Sequence, residues 1–195
     1  MVCNTLTTVP VVLTTMTNKV LLVWALESLG LQADTANAIG GTTNLYFTKE
    51  VNGKTERDYF RRPLTLRNNI LSFPSTMSKE EQEQIVGLTK VAYAIQTVKS
   101  AAGQFGFIVT PHPTFKNTFL AKKASGGLQA DVITIEVTMQ GIIKSTTKKI
   151  SHQNHDVAGN FLTRMAKLAG GQVTSISSGK PHEHVHSHHG VMHRH

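Results

Sequence analysis

Seven of the ten histidines in this chain lie within its last 14 residues, where their imidazole nitrogens could bind divalent metal ions. The first five are His182, His184, His186, His188 and His189. Imidazole is a good ligand for Ni²⁺, Cu²⁺ and Zn²⁺. A specific site needs fixed geometry, however, and the polar, aperiodic residues 177–195 are predicted to be disordered. Adventitious metal binding, metal storage or delivery, and a charge switch below neutral pH all stay open as interpretations of this tail.

A second group of histidines precedes a predicted helix. His152 and His155, with Asp156, could supply three metal ligands within one helical turn. The same place is a helix start, where Asp156 or Asn154 can accept hydrogen bonds from the first free backbone N–H groups. We favour capping, because no other cluster of ligand residues lies nearby in the sequence. His112 lies between two prolines, a position typical of a rigid turn.

Cationic and aromatic side chains are interleaved between residues 44 and 67, a composition suited to binding another macromolecule. They are Lys49, Lys54, Arg57, Arg61, Arg62 and Arg67, together with Tyr46 and Tyr59. Aromatic rings on a sheet can stack on single-stranded bases while cations contact the phosphates. The formal net charge of +8 also favours polyanions. The same surface could instead bind a protein partner, or the aromatic rings could alternate into the core.

The sequence contains no recognisable catalytic constellation. We find no nucleophile elbow, no paired carboxylates and no thiol–imidazole pair, and the single cysteine is Cys3. The Gly-Gly-Thr-Thr stretch at 40–43 lacks the Gly-Lys-Ser/Thr ending of a phosphate-binding loop and follows helix-like sequence, so we interpret it as a turn. We therefore predict a protein that is not an enzyme and holds no cofactor, apart from metal ions on the tail.

The longest element that could position these residues is a helix predicted over residues 78–103. Ser78 and Glu81 have the spacing of a capping box, and acidic residues lie at the positive end of the helix dipole. Apolar residues recur every three or four positions and predict a stripe that packs on a sheet. They are Ile85, Leu88, Val91, Ala92, Ile95, Val98 and Ala102. Gly103 is predicted to end the helix, and the β-prone residues 105–109 follow.

Shorter elements are predicted before this helix. Residues 9–15 are predicted to form a buried strand, and residues 17–29 a helix with Trp24 in the core. The Asn52-Gly53 pair is a strong turn signal, so residues 44–60 are predicted to form a hairpin. The segment 61–74 is predicted to be a connector that packs leucine and isoleucine side chains on the sheet.

The residues Val91-Ala92-Tyr93, followed by Val98 and by Gly106-Phe107, resemble a family of small uncharacterised proteins from cyanobacteria, plastids and some phages. The family is known as chloroplast reading frame thirty-five, or domain of unknown function twelve-fifty-seven. The resemblance covers residues 5–125. It implies a strand and short helix, a polar hairpin region, a long helix ending near Gly-Phe, and a final strand. These correspond to residues 9–30, 44–60, 78–103 and 105–122.

A second resemblance covers the next part of the chain. Strands predicted at residues 134–138 and 142–147, a turn at Gln140-Gly141 and an amphipathic helix ending at Gly170 resemble another uncharacterised module, domain of unknown function twenty-nine ninety-seven. The two resemblances imply a fusion of modules that are usually encoded separately. Because relatives of both are often encoded near ATPases of the AAA type, they also imply such an ATPase as the protein partner.

Together these features predict an α+β protein with small, mostly antiparallel sheets and the long helix packed on one face. The predicted parts are a module at 1–124, a second module at 128–176 and the disordered tail at 177–195, with a linker at 125–127. One cysteine, and no apolar run of the about 18 residues that cross a bilayer, predict a cytoplasmic location. The leading hypothesis is a non-enzymatic adaptor that binds a protein. A nucleic-acid-binding accessory protein and metal handling through the tail are the alternatives.

Overall fold

The computed structural model describes residues 8–124, 132–147, 155–170 and 173–177, which form three helices and eleven strands. The first part of the chain contains β1 (Thr8–Val12), α1 (Lys19–Ser28), β2 (Leu31–Ile39), β3 (Thr42–Val51), β4 (Lys54–Arg57), β5 (Leu64–Arg67), β6 (Ile70–Pro74) and α2 (Lys79–Gln104). The later part contains β7 (Phe107–Pro111), β8 (Thr118–Lys123), β9 (Val132–Val137), β10 (Ile143–Thr147), α3 (His155–Leu168) and β11 (Val173–Ser177). The predicted α+β class is confirmed. None of the three helices in the described ranges is long and apolar enough to cross a lipid bilayer.

The described strands form two sheets. The N-terminal sheet has the order β1-β6-β5-β3-β2, β4 also pairs with β3, and all of these pairs are antiparallel. The C-terminal sheet has the order β11-β10-β9-β8-β7, in which β10 and β11 are parallel and the other pairs antiparallel. The predicted linker 125–127 lies outside the described residues, but β8 and β9 pair with each other on either side of it. The predicted boundary between 1–124 and 128–176 therefore falls within one sheet.

Helix α2 has the predicted capping box and packs on both sheets. The Ser78 hydroxyl accepts a hydrogen bond from the Glu81 N–H at 3.2 Å, and the Glu81 carboxylate accepts one from the Ser78 N–H at 3.3 Å. Val98 lies in the core of the C-terminal sheet, whereas Tyr93 lies in the core of the N-terminal sheet. The predicted packing on a sheet face thus holds for both sheets. The helix ends at Gln104, one residue beyond the predicted Gly103.

Helix α1 buries a different face from the predicted one. Its buried residues are Leu21, Leu22, Ala25 and Leu26. Trp24 is 48% exposed, so its predicted place in the core is wrong. The periodicity could not choose the face, because every residue from 20 to 26 is apolar. The N-cap is Asn18 rather than the predicted Thr17, and its side chain accepts a hydrogen bond from the Leu21 N–H at 3.1 Å.

Strand β1 forms where a strand was predicted, but it is not buried. It is an edge strand of the N-terminal sheet, paired with β6 only, and most of its side chains are exposed. The buried residues of this region are Leu13 and Met16, which follow the strand. The apolar composition therefore predicted the strand correctly, but the predicted burial is wrong. A strand at the edge of a sheet leaves exposed the apolar side chains that a central strand would bury.

Two segments contain more strand than the sequence predicted. Residues 31–39, which are helix-like in sequence, form β2. The predicted turn at Gly40-Gly41 joins β2 to β3 with φ of +58° and +76°, values that suit a tight hairpin turn. The predicted connector 61–74 contains the hairpin of β5 and β6. Its Leu64, Leu66 and Leu71 side chains are fully buried, as predicted, whereas Ile70, which was predicted to pack with them, is 36% exposed.

The second half has the predicted hairpin and helix, and one further strand. Strands β9 and β10 pair around the predicted turn at Gln140-Gly141. Phe161 and Met165 of α3 are fully buried in the core of the C-terminal sheet, which confirms the predicted stripe. Strand β11 was not predicted and reaches the first residue of the predicted tail, Ser177. Residues 178–195, with every histidine of the proposed metal-binding tail, lie outside the described residues.

Candidate partner-binding site

The predicted cationic and aromatic residues lie on or near the β3–β4 hairpin, but they occupy both faces of the N-terminal sheet. Side chains alternate along β3, so Tyr46 and Phe47 point to opposite faces. Phe47 packs against the core of this sheet, so Tyr46 belongs to the outer face. The residues after β4 divide in the same way, because Tyr59 contacts Tyr46 whereas Arg61 contacts Phe47.

The outer face contains a cluster centred on Arg57. Its guanidinium lies over the Tyr46 ring, 5.0 Å from the centroid, and one terminal nitrogen is 3.3 Å from a carboxylate oxygen of Asp34 on β2. The Arg57 Nε donates a hydrogen bond to the Gln32 side chain at 3.1 Å. The Tyr59 ring meets the Tyr46 ring edge-on at 5.5 Å. The Arg57 side chain thus has contacts with three residues of the protein, and two of them connect β4 to β2.

Asp34 is the anion that holds this cluster. It is only 8% exposed, and the Asn37 amide donates a hydrogen bond of 3.0 Å to each of its carboxylate oxygens. The Asn37 hydrogen bond, followed by the Arg57 charge, holds the pKa of Asp34 below its usual value, although burial opposes the shift. The carboxylate therefore stays ionised and neutralises Arg57, which limits what Arg57 can offer to an external anion.

The helix-covered side carries a groove beside an exposed phenylalanine. Phe60 is 93% exposed, and the Lys49 ammonium lies over its ring, 4.9 Å from the centroid. The groove has a volume of about 340 Å³, and we call it the Phe60 groove. It is lined by Phe47, Phe60, Arg61, Arg62, Pro74, Thr76, Met77 and Glu81. The chain thus brings three separate segments to one surface: β3, the loop after β4, and the segment from the end of β6 to the start of α2.

The charged groups of the groove differ in how they are neutralised. Lys49 lies 3.9 Å from the Asp58 carboxylate, and Glu81 is held by the capping box. Arg61 stacks on the Phe47 ring at 3.7 Å from its centroid. Within the described ranges, neither Arg61 nor Arg62 has a carboxylate at ion-pair distance. The groove therefore offers two guanidinium groups beside apolar side chains, a combination that can receive an anionic and apolar ligand.

Two of the predicted site residues lie far from this groove. Lys54 is at the tip of the hairpin, opposite Val51, and Arg67 pairs with Thr42 at the other end of β3. At about 3.3 Å per residue, these two ends of β3 are roughly 30 Å apart. The predicted set of eight residues therefore does not form one surface. It separates into the Arg57 cluster, the Phe60 groove with Lys49, and two isolated cations.

The other sequence candidates have structural roles or lie outside the described residues. His112 forms the predicted turn, because its ring Nδ1 accepts hydrogen bonds from the N–H groups of Thr114 and Phe115 at 3.1 and 3.2 Å. Asp156 lies inside the first turn of α3 rather than before it, and the other capping candidate, Asn154, lies outside the described residues together with His152, so the capping interpretation stays a prediction. In the part of the chain that the structure describes, no three His, Cys, Asp or Glu side chains are grouped to hold a metal ion.

Thr76 and Met77 line the groove but have no signal of their own in the sequence, and Glu81 was predicted only as a capping residue. Gln32, Asp34 and Asn37 were missed as site residues. These residues reach the site only in the folded protein, either because β2 pairs with β3 or because the chain reverses direction before α2. No protein-family model matches this chain, and no similar curated protein or solved structure was found. The resemblance to the two uncharacterised modules stays a prediction.

Proposed function

We propose that this protein is a non-enzymatic accessory protein, an adaptor that binds a protein partner through the Phe60 groove. The observation that carries the proposal is the 93% exposure of Phe60 next to Arg61 and Arg62, two cations without ion-pair partners among the described residues. Aromatic and arginine side chains are the residues that most often dominate the free energy of protein–protein binding.

The free energy at stake is large enough for a specific contact. A phenylalanine side chain buries upward of about 150 Å² in an interface, which at about 25 cal/mol per Å² corresponds to roughly 4 kcal/mol before the costs of association. Those costs are of similar size, so the arginines and the apolar groove wall must contribute as well. We therefore expect a moderate affinity that depends on Phe60 more than on any other single side chain of the groove.

The charges near the groove favour a protein over a nucleic acid. The groove contains the Glu81 carboxylate, and Glu80 and Glu83 lie in the same helix turns, so a chain of phosphates would meet repulsion there. The excess positive charge lies elsewhere. Residues 1–104 contain ten Lys and Arg against eight Asp and Glu, whereas residues 105–177 contain eight against three.

Nucleic-acid binding remains the second candidate function, and it is favoured by the formal net charge of +8. It predicts an affinity for single strands that falls steeply with added salt. Binding of labelled oligonucleotides measured over a range of salt concentrations tests it directly. An affinity that is independent of salt would exclude it.

The identity of the partner is a further part of the proposal. The two family resemblances favour an AAA-type ATPase as the partner. The sequence has no recognisable phosphate-binding loop, which is consistent with a protein that binds an ATPase and does not hydrolyse ATP itself. Absence of any ATPase among the proteins that co-purify would reject this part alone. A cytoplasmic location stays a prediction, based on the single cysteine.

Metal handling through the His-rich tail stays a separate proposal, supported by the density of imidazole groups in residues 182–195. Deletion of residues 181–195 should abolish metal retention if the tail is responsible. An unchanged metal content of the truncated protein would reject it.

The experiment that tests the main proposal is affinity purification from the native cell, with and without nuclease, of the wild type and two variants. Phe60→Ala should lose the partner, whereas Phe115→Ala should keep it. Phe115 is a suitable control because it is also largely exposed, but lies in the β7–β8 loop of the other sheet. A protein partner retained equally by both variants, or a companion lost on nuclease treatment, would contradict the adaptor function of the groove.

A further inference from the structure

We infer that the partner segment received by the Phe60 groove is acidic and apolar: an extended peptide with a carboxylate side chain directly next to an aromatic or aliphatic one. This inference rests on the proposed function and names the chemistry of its partner. It follows from the distribution of charge and apolar surface within the groove, where each wall suits a different part of such a peptide.

The anionic part of the segment is defined by two guanidinium groups. The guanidinium carbon of Arg61 lies 3.7 Å from the centroid of the Phe47 ring, so this contact already holds the side chain in place before a ligand arrives. Arg62 follows it in the chain, and neither has a carboxylate partner in the described ranges. An ordered guanidinium loses little conformational entropy when it forms paired hydrogen bonds to a carboxylate. A carboxylate of the partner would form the ion pair that these two arginines lack within the described ranges.

The apolar part of the segment is defined by Phe60, Phe47, Pro74 and Met77. These side chains form the rest of the wall, and Met77 adapts its shape easily to different apolar ligands. The groove volume of about 340 Å³ is near the lower end of the range of ligand pockets. It therefore admits a few side chains rather than a helix or a folded surface.

The Glu81 carboxylate distinguishes this occupant from a polyanion. It lines the groove and accepts hydrogen bonds from the N–H and the hydroxyl group of Ser78. A single carboxylate can approach the arginines and avoid Glu81, whereas a continuous phosphate backbone must pass near it. A peptide with isolated acidic residues thus complements the groove better than a nucleic acid does.

The test is a titration of the full-length protein with fluorescent peptides, read by anisotropy. The probes share one length and differ at the centre: Asp-Asp-Phe-Leu, Asn-Asn-Phe-Leu and Asp-Asp-Gly-Gly, with oligothymidylate as the nucleic-acid probe. We expect the first peptide to bind about five-fold or more tightly than the other two, as lost charge-assisted hydrogen bonds and lost apolar burial predict. Equal affinity of the first two peptides, or tighter binding of oligothymidylate, would overturn the inference.

Charge reversal provides a result that misfolding cannot imitate. The double variant R61E/R62E should prefer Lys-Lys-Phe-Leu over Asp-Asp-Phe-Leu, whereas Arg67→Glu at the far end of β3 should keep the wild-type preference. Sedimentation of the peptide-free protein tests the competing occupant, a second copy of the chain. A dimer that Phe60→Ala dissociates would overturn the inference. Loss of the cellular partner in Phe60→Ala, with no preference among the peptides, would reject the acidic chemistry and leave the proposed function standing.

Discussion

One tyrosine hydroxyl group joins all three helices. The Tyr93 hydroxyl of α2 donates a hydrogen bond to the Leu168 carbonyl at the end of α3, at 3.1 Å, and accepts one from the Asn18 N–H before α1, at 3.3 Å. Tyr93→Phe would leave both groups without this partner and should lower the free energy of unfolding by about 1–3 kcal/mol. Urea unfolding measures the loss. Tyr59→Phe, at a largely exposed ring, should stay within about 0.5 kcal/mol of the wild type, and equal stability of both variants would contradict the role of Tyr93.

The ionised Asp34 makes the stability of the hairpin depend on pH. Its pKa is lowered in the folded protein, so it stabilises the fold above its unfolded pKa, and this contribution is lost as the pH falls through the folded pKa. Asp34→Asn should therefore be less stable than the wild type at neutral pH, and the difference should shrink in acid. Unfolding measured from pH 7 downward tests the trend, with Glu27→Gln, at an exposed position of α1, as the control for charge removal. A deficit that stays constant down to strongly acidic pH would show that packing, and not the charge of Asp34, is responsible.

At the scale of elements, replacing either of two glycines by alanine should change the free energy of unfolding in opposite directions. Gly141 contacts α2, and Gly87 lies within it. Gly141 has φ +76°, and a Cβ built there would lie 2.8 Å from the Lys90 carbonyl oxygen of α2. Gly141→Ala should therefore cost upward of about 2 kcal/mol, through backbone strain and a displaced turn. Gly87→Ala, within α2 and with no atom within 4 Å of the new methyl group, should stabilise by about 0.5–1 kcal/mol. Thermal unfolding compares the two, and a loss of stability in both would contradict the close approach at Gly141 as the cause.

The elements that the sequence predicted well are those with strong local signals. The capping box of α2 and the Asn52-Gly53 turn each depend on residues that are close together in the sequence, and the structure has both. The exposure of Trp24 and the strand at residues 31–39 depend on tertiary contacts instead, since pairing with β3 overrides the helix-like composition of β2. The candidate site follows the same rule. Its cations were visible in the sequence, but the division between Arg57 and the Phe60 groove depends on strand register.

At the scale of the whole molecule, α2 packs on both sheets, and we expect it to make them unfold as one unit. It supplies side chains to both cores. Loss of α2 would therefore expose apolar surface of both sheets. Pairing of β8 with β9 across the predicted linker joins the two predicted modules within the C-terminal sheet. A protein of two independent modules would behave differently, because each would keep its own unfolding transition.

Phe161→Leu distinguishes these two cases. Phe161 is fully buried in the core of the C-terminal sheet and stacks on Phe107 at 4.9 Å, so the substitution should cost about 1–2 kcal/mol. Trp24, the only tryptophan, reports on the other half from α1. If the molecule unfolds as one unit, the Trp24 fluorescence transition and the far-UV circular dichroism transition should move together to lower urea. A Trp24 midpoint that stays at the wild-type value while the circular dichroism midpoint falls would show that α2 does not couple the halves. The Phe60 groove would then have to be understood from the N-terminal sheet and α2 alone.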